Sequence, residues 1–84
     1  MINKINFKKK IIYRSTHRGT KEMDLLLGNF VKKNLNKLND FELIDLENFL
    51  LLDDDTISKW YFENISDKSI PNTKISKMLK VFKI

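Results

Sequence analysis

The sequence predicts an all-α protein, a compact five-helix bundle formed by one domain over residues 1–84. Apolar residues recur at helical spacing, and the alternating pattern of strands is nearly absent. Only Gly19, Gly28 and Pro71 are strong breakers of regular structure. A chain of 84 residues has no room for a second core. The prediction allows a flexible start over residues 1–6.

The first two predicted helices lie on either side of Gly19. The first covers residues 6–16 and has a partial apolar stripe of Phe7, Ile11 and Ile12. The second covers residues 21–35, and its stripe consists of Met23, Leu26, Leu27 and Phe30. Gly28 interrupts this second pattern. Because a glycine inside a helix costs about 1 kcal/mol relative to alanine, we expect close packing against another helix at this position.

The third predicted helix begins at Asn39 or Asp40 and ends at Leu52. Asn39 followed by Glu42 fits a capping box, in which each side chain accepts a hydrogen bond from the backbone of the other residue. The inner stripe consists of Leu43, Leu46 and Leu50. Apolar residues on the other faces are Phe41, Ile44, Phe49 and Leu51. We therefore expect this helix to be central and to contact neighbours on more than one side.

The last two predicted helices complete the bundle. The fourth covers residues 54–65, with an apolar stripe of Ile57, Trp60 and Tyr61. Trp60 is better explained by core packing than by partner contact. The fifth follows Pro71, with Asn72 as its predicted cap and with a stripe of Ile75, Met78, Leu79 and Phe82. Three lysines toward its C-terminal end suit the negative end of the helix dipole: Lys77, Lys80 and Lys83.

The charges divide the chain into a basic, an acidic and a basic part. Residues 1–21 carry seven bases and no acid, all eleven acids lie from Glu22 to Asp67, and residues 68–84 add five lysines. Basic ends can attract phosphate or an acidic protein surface, or they can simply be solvated helix faces. A small basic nucleic-acid-binding module is therefore the competing hypothesis. It is disfavoured because no recognition helix is evident and the acids crowd the middle of the chain.

The chain offers little that could carry catalysis. It has no cysteine and one histidine, His17, so neither a catalytic triad nor a thiolate metal site can be assembled. Three consecutive acids, residues 53–55, diverge around a helix start, which favours capping over metal binding. The apolar runs are too short to span a membrane, and no signal peptide is evident. We therefore expect a monomeric cytoplasmic protein that is not an enzyme, binds no metal and does not insert into membranes.

The junction between the first two helices is the unusual feature. Gly19 permits a positive φ, which would end the first helix with Arg18 near its last carbonyl groups. Glu22 and Asp24 both lie in the first turn of the second helix, where acids are favoured. Residues two apart on a helix point about 200° away from each other. We expect one of these carboxylates to hold the turn and the other to face outward.

The order of these residues resembles the succinate dehydrogenase assembly factor family, known as SdhE in bacteria and as assembly factor 2 or the flavinator in mitochondria. The resemblance covers residues 10–83. It is carried by Arg18-Gly19-x-x-Glu22-x-Asp24, then by Leu25-Leu26-Leu27 and Phe30, an acidic helix, Asp53-Asp54, Trp60 and Pro71. The position of the seven-residue motif, the order of the helices and the length of the chain make the match specific.

This resemblance implies a chaperone-like assembly factor without an active site. Such a factor binds the flavoprotein subunit of succinate dehydrogenase, or in some bacteria of fumarate reductase, and promotes covalent attachment of FAD to a histidine of that subunit. FAD then belongs to the client protein, and this chain holds no permanent cofactor. The implied partner-binding residues are His17, Arg18, Gly19, Glu22 and Asp24. Family members often carry two basic residues before the glycine, whereas the charge of His17 depends on pH.

Overall fold

The computed structural model describes residues 3–83, and it contains five α-helices and no strand within that range. The helices are α1 (Lys4–Thr16), α2 (Lys21–Asn34), α3 (Asp40–Leu50), α4 (Asp54–Glu63) and α5 (Lys74–Val81). A turn of 3-10 helix, Leu35–Lys37, follows α2. The all-α five-helix prediction is confirmed. Residues 4–6 belong to α1, whereas residues 1 and 2 of the start that was allowed to be flexible lie outside the described residues.

One apolar core joins the five helices. Its buried members are Ile11, Met23, Leu26, Leu27, Phe30, Val31, Leu35, Leu38, Leu43, Leu46, Phe49, Leu50, Ile57, Ile75 and Leu79. Burying one such side chain contributes about 1.5–3 kcal/mol, so this cluster supplies the main stabilising free energy. Trp60 packs against the edge of the core, with its ring 5.8 Å from that of Phe49. Among the helices of residues 3–83, none is long and apolar enough to cross a membrane.

Side-chain caps fix the starts of α3 and α4. The predicted capping box is present, because Asn39 N donates to Glu42 at 2.9 Å and Glu42 N donates to Asn39 at 2.9 Å. Asp53 caps α4 by accepting a hydrogen bond of 2.7 Å from Thr56 N. Hydrogen bonds from Thr56 lower the pKa of the Asp53 carboxyl, because they stabilise its charged form. Both helix starts therefore follow from local sequence.

The predicted cap of α5 was wrong by one residue. Thr73, and not Asn72, caps this helix by accepting a hydrogen bond of 3.2 Å from Ser76 N. Ser76 Oγ in turn accepts from Thr73 N at 3.1 Å, which completes a reciprocal capping box. Asn72 forms no such box. Within the described range, α4 ends two residues earlier than predicted because Asn64 adopts the left-handed conformation, with φ of 57°, which asparagine tolerates.

The prediction that α3 is central is correct in part. It contacts both α1 and α5, so it does pack on more than one side. Phe41 is nevertheless 81% exposed, and Ile44 and Leu51 are also exposed on the face that points away from the core. The prediction from apolar residues on every face of α3 therefore overestimated how much of this helix is buried.

Gly28 lies where α2 packs along α1. A methyl group at this position would lie 3.4 Å from Thr16 Cγ2 and 3.7 Å from the carbonyl oxygen of Ser15. The expectation of close helix packing at Gly28 is confirmed. The distances are nevertheless those of ordinary van der Waals contact, so an alanine would fit with little adjustment.

Candidate functional site at the junction between α1 and α2

Residues 17–20 alone connect α1 to α2. His17 ends α1 with φ of −122° and ψ of 61°. Thr20 begins α2 by accepting a hydrogen bond of 3.2 Å from Met23 N. Threonine is a favoured residue for this capping role, because its side-chain oxygen satisfies a backbone N–H that has no partner in the helix. A short connection with a cap at each side sets the path of the chain at the site.

The side chain of Arg18 points into the protein and is only 9% exposed. Its guanidinium donates to the carbonyl oxygen of Leu50 at 2.6 Å and to that of Leu52 at 2.8 Å. It also donates to the carbonyl oxygen of Arg14 at 3.3 Å, which agrees with the predicted position near the end of α1. The planar guanidinium has five N–H groups in a fixed arrangement, so one side chain can join the end of α1 to the end of α3.

Asp54 completes this arrangement from the first turn of α4. Its Oδ1 accepts from Arg18 Nε at 2.8 Å, and its Oδ2 accepts from the backbone N–H of Gly19 at 2.6 Å. One carboxylate therefore binds a side chain and the backbone of the junction together. Hydrogen bonds that include a charged group are about twice as strong as neutral ones. We refer to Arg18, Gly19, Asp24 and Asp54 below as the clamp.

Gly19 is required for a reason other than the one predicted. No glycine among residues 3–83 has a positive φ, so the prediction that Gly19 adopts one was wrong. A Cβ atom at Gly19 would instead lie 2.9 Å from Asp54 Oδ2, closer than real Cβ contacts allow. The conformation of His17 already ends α1, which removes the need for a left-handed residue. Glycine is present because the Asp54 carboxylate approaches the backbone closely.

The two acids of α2 have different surroundings. Asp24 Oδ1 accepts a hydrogen bond of 2.5 Å from the backbone N–H of Arg18, so this carboxylate holds the turn. Glu22 is exposed beside the start of α4, near Asp55 and Ser58. One carboxylate that holds the turn and one that faces solvent is the arrangement that the spacing predicted. The junction thus has an inner side that is saturated with hydrogen bonds and an outer side that carries free charge.

His17 lies exposed on this outer side. Its ring stacks on that of Tyr13, with centroids 3.9 Å apart and an interplanar angle of 17°. Its Nδ1 lies 2.9 Å from the carbonyl oxygen of Tyr13 and 3.1 Å from the hydroxyl oxygen of Thr16. The Nε2 atom then remains to bond with another molecule. The stack and the hydrogen bond hold the ring in one orientation.

The three acids at the start of α4 serve three separate purposes. Asp53 caps the helix, Asp54 belongs to the clamp, and Asp55 forms an exposed ion pair of 3.1 Å with Lys59. The interpretation of these acids as helix-start residues holds for Asp53 and misses the role of Asp54. Their side chains diverge, and each carboxylate is engaged with a different part of the protein.

The structure brings all five predicted site residues together, but it does not expose all of them. His17, Gly19 and Glu22 lie at the surface, whereas Arg18 points inward and Asp24 is half-buried. Sequence reasoning missed Thr20 and Asp54. Thr20 had a local signal, since threonine is common at the residue before a helix. Asp54 had no local signal, because it lies 36 residues from its partner Arg18, and only the family resemblance singled it out, as part of Asp53-Asp54.

Comparison with known proteins shows which family the sequence resembles. A family model described as the flavinator of succinate dehydrogenase matches residues 9–83. The FAD assembly factor SdhE of Wigglesworthia glossinidia brevipalpis is 36% identical over 75 residues, which cover 89% of this chain and 86% of that protein. SdhE of Acetobacter pasteurianus is 34% identical over 73 residues, which cover 87% of this chain and 64% of that protein.

Similarity extends to mitochondrial proteins. Succinate dehydrogenase assembly factor 2 of Saccharomyces cerevisiae is 36% identical over 77 residues, which cover 87% of this chain and 48% of that protein. The chain thus spans about half the length of this mitochondrial relative. No solved structure matches the chain. Because the family model covers nearly the whole sequence, clamp residues included, the chain belongs to the family of the flavinator of succinate dehydrogenase.

Proposed function

We propose that this chain binds the flavoprotein subunit of succinate dehydrogenase and promotes the covalent attachment of FAD to that subunit. The observation that carries the proposal is the two-sided junction, in which the clamp occupies the inner side while His17 and Glu22 remain free outside. A binding site needs groups that are held in place before the partner arrives. The family description and the names of the relatives support the identity of the client.

In this proposal the chain acts as a chaperone and not as an enzyme. It binds one conformation of the client more tightly than others, and this difference in affinity shifts the client toward the state that is competent for attachment. Glu22 and His17 contact the client, and Arg18 acts by positioning them. The chemistry of attachment belongs to the flavin and the client.

The surroundings of the junction support the assignment of FAD to the client. A pyrophosphate group needs free backbone N–H groups at a helix start. Here the N–H groups of Arg18 and Gly19 already donate to carboxylates, and Glu22 adds a further negative charge nearby. The proposal therefore assigns FAD to the client and expects no permanent cofactor on this chain. It also expects a monomer. It expects the chain to act in the bacterial cytoplasm, which is consistent with the similarity to bacterial SdhE proteins.

Coexpression tests the proposal. The candidate flavoprotein subunit is produced with and without this chain, and covalent FAD is read as in-gel flavin fluorescence. We expect fluorescence to rise several-fold when the chain is present. A client without its acceptor histidine gives the background. Equal fluorescence in both conditions contradicts the proposal for succinate dehydrogenase, and the same experiment with the fumarate reductase subunit tests the second client.

The nucleic-acid hypothesis has less support in the folded chain. Lys4 of the basic helix α1 pairs with Asp40 at 3.0 Å, and Lys10 pairs with Glu47 at 3.4 Å. These contacts direct part of the basic charge toward α3. Binding through phosphate contacts would weaken steeply between about 50 and 200 mM salt, so a salt titration with RNA and DNA measures this alternative directly.

A further inference from the structure

A groove with a volume of about 400 Å³ lies between α1 and α2 and begins at the junction. Thr16 and Asp24 line its junction end. The lining continues through Gly28 and Val31 of α2 to Leu35 at the start of the 3-10 turn, and these residues are spaced by helical turns. Gly28 contributes no side chain to the lining. Apart from Asp24, the residues that line the groove belong neither to the clamp nor to the outer side of the junction.

The walls of the groove are apolar and reachable from solvent. Ile12 of α1 is 45% exposed and Leu25 of α2 is 48% exposed, and both side chains line the groove. The core buries Val31 and Leu35 beneath them. Covering exposed apolar surface yields about 25 cal/mol per Å², so a partner that fills the groove gains binding free energy there.

The charge that borders the groove is mostly positive. Lys32 lines it, and Lys8 Nζ lies 3.0 Å from Oδ1 of Asn36, which also belongs to the lining. Asp24 is the one carboxylate in the lining, and it already accepts a hydrogen bond from the backbone of Arg18. Neither Lys8 nor Lys32 takes part in the ion pairs found over residues 3–83. The groove therefore combines an apolar interior with cations that an acidic partner would neutralise.

We propose that this groove binds an apolar side chain of the client flavoprotein that has an acidic residue next to it. The inference rests on the proposed function and assigns a second contact to the same partner. Thr16 and Asp24 belong to both the groove and the neighbourhood of the junction, so the groove opens directly beside the junction. Glu22 and His17 supply polar contacts, and the groove supplies an apolar anchor.

The apolar part is tested by the affinity of the full chain for the purified client subunit. Ile12→Glu and Leu25→Glu each place a charge on a groove wall, and we expect either change to weaken binding by at least about tenfold. Ile65→Glu is the matched control, because Ile65 is 48% exposed but lies beyond the end of α4. Its affinity should stay within about twofold of the unaltered chain. Far-UV circular dichroism and urea unfolding show that each variant is folded.

The charged part is tested by two neighbouring lysines. Lys32 lines the groove, whereas Lys33 lies 5.9 Å from the ring centre of Phe82 on the side of α5. We expect Lys32→Glu to slow association with the client and to weaken binding several-fold, with a smaller effect at high salt. Lys33→Glu should change the association rate and the affinity by no more than about half of the change that Lys32→Glu causes.

The outcomes separate this inference from the proposed function. If the unaltered chain neither binds the client nor raises covalent FAD, the proposed function fails and the groove inference fails with it. If the unaltered chain binds and folded Ile12→Glu and Leu25→Glu bind equally well, the groove inference alone is overturned. Weakening by both wall variants, with Ile65→Glu unchanged, supports it.

Discussion

The α1–α2 junction and the connection between α4 and α5, residues 64–73, join helices of the same bundle by different means. At the junction, Arg18 reaches the Leu50 carbonyl 32 residues away and the Asp54 carboxylate 36 residues away. In the longer connection the hydrogen bonds are local. Asp67 accepts from Ser69 N at 2.8 Å and from Ser69 Oγ at 2.5 Å, and Ile70 N donates to the Asp67 carbonyl at 3.2 Å.

This difference distinguishes a connection that shapes its own turn from one that fixes the positions of helices. Local hydrogen bonds close a turn, but they do not determine where distant elements lie. The clamp ties the end of α1, the end of α3 and the start of α4 to one short segment. Residues that present charge to a partner benefit from such fixed surroundings. We conclude that the junction is a rigid platform and that the longer connection is a spacer.

Removal of Arg18 should have the largest effect on stability. We expect Arg18→Ala to reduce the free energy of unfolding by about 2–4 kcal/mol, because it leaves the Asp54 carboxylate and two part-buried carbonyl groups without their partner. Asp67→Ala removes only local bonds at an exposed site and should lower the free energy of unfolding far less. Urea denaturation measures both. Similar losses for the two variants would remove the distinction between platform and spacer.

The two glycines provide a second test. Gly19→Ala should cost about 1–3 kcal/mol, because its methyl group displaces the Asp54 carboxylate from the backbone. Gly28→Ala should change stability by less than about 1 kcal/mol, since contact with Thr16 Cγ2 offsets a gain in helix propensity. Thermal unfolding of the two variants side by side gives the comparison. A Gly19→Ala variant as stable as the unaltered chain would show that Asp54 is free to move.

The smallest expected effect is the change of stability with pH that comes from Asp67 in the α4–α5 connection. Hydrogen bonds from Ser69 hold the pKa of the Asp67 carboxyl below its usual range. A lowered folded-state pKa stabilises the protein above the unfolded-state pKa, and this contribution is lost as pH falls through the folded-state pKa. We expect the Ser69 amide resonance in NMR to follow this titration and to stop titrating in Asp67→Asn. Titration of Asp67 at its ordinary pKa would contradict the turn.

The fold was largely predictable because its signals are local. Helical spacing gave five helices, and the box of Asn39 and Glu42 was readable over four residues. Errors arose where two local signals compete, as at Asn72 and Thr73, or where exposure depends on distant neighbours, as at Phe41. A residue type alone does not show which of its allowed roles the rest of the chain selects.

The sequence located the junction and five of its residues, but it did not reveal Thr20, Asp54 or the geometry of the junction. The spacing of Glu22 and Asp24 predicted two directions, and the structure has them. The inward course of Arg18 had no sequence signal, because its acceptors are backbone carbonyls of α3 and of the segment that follows it. A main-chain carbonyl exists at every residue and leaves no trace in the sequence. Arg18 as a direct partner contact stays a prediction, and the structure supports a positioning role for it.

Covalent FAD on the client, measured with Glu22→Ala, tests the platform most directly. Asp55→Ala is the matched control, since Asp55 is another exposed carboxylate beside the same junction and has only an exposed pair with Lys59. We predict that Glu22→Ala lowers in-gel flavin fluorescence of the coexpressed flavoprotein subunit by at least about fivefold, with its helix content and unfolding midpoint unchanged. Asp55→Ala should leave the fluorescence at the unaltered level. Full fluorescence with folded Glu22→Ala would contradict the role of the junction as a platform that presents Glu22 to the client.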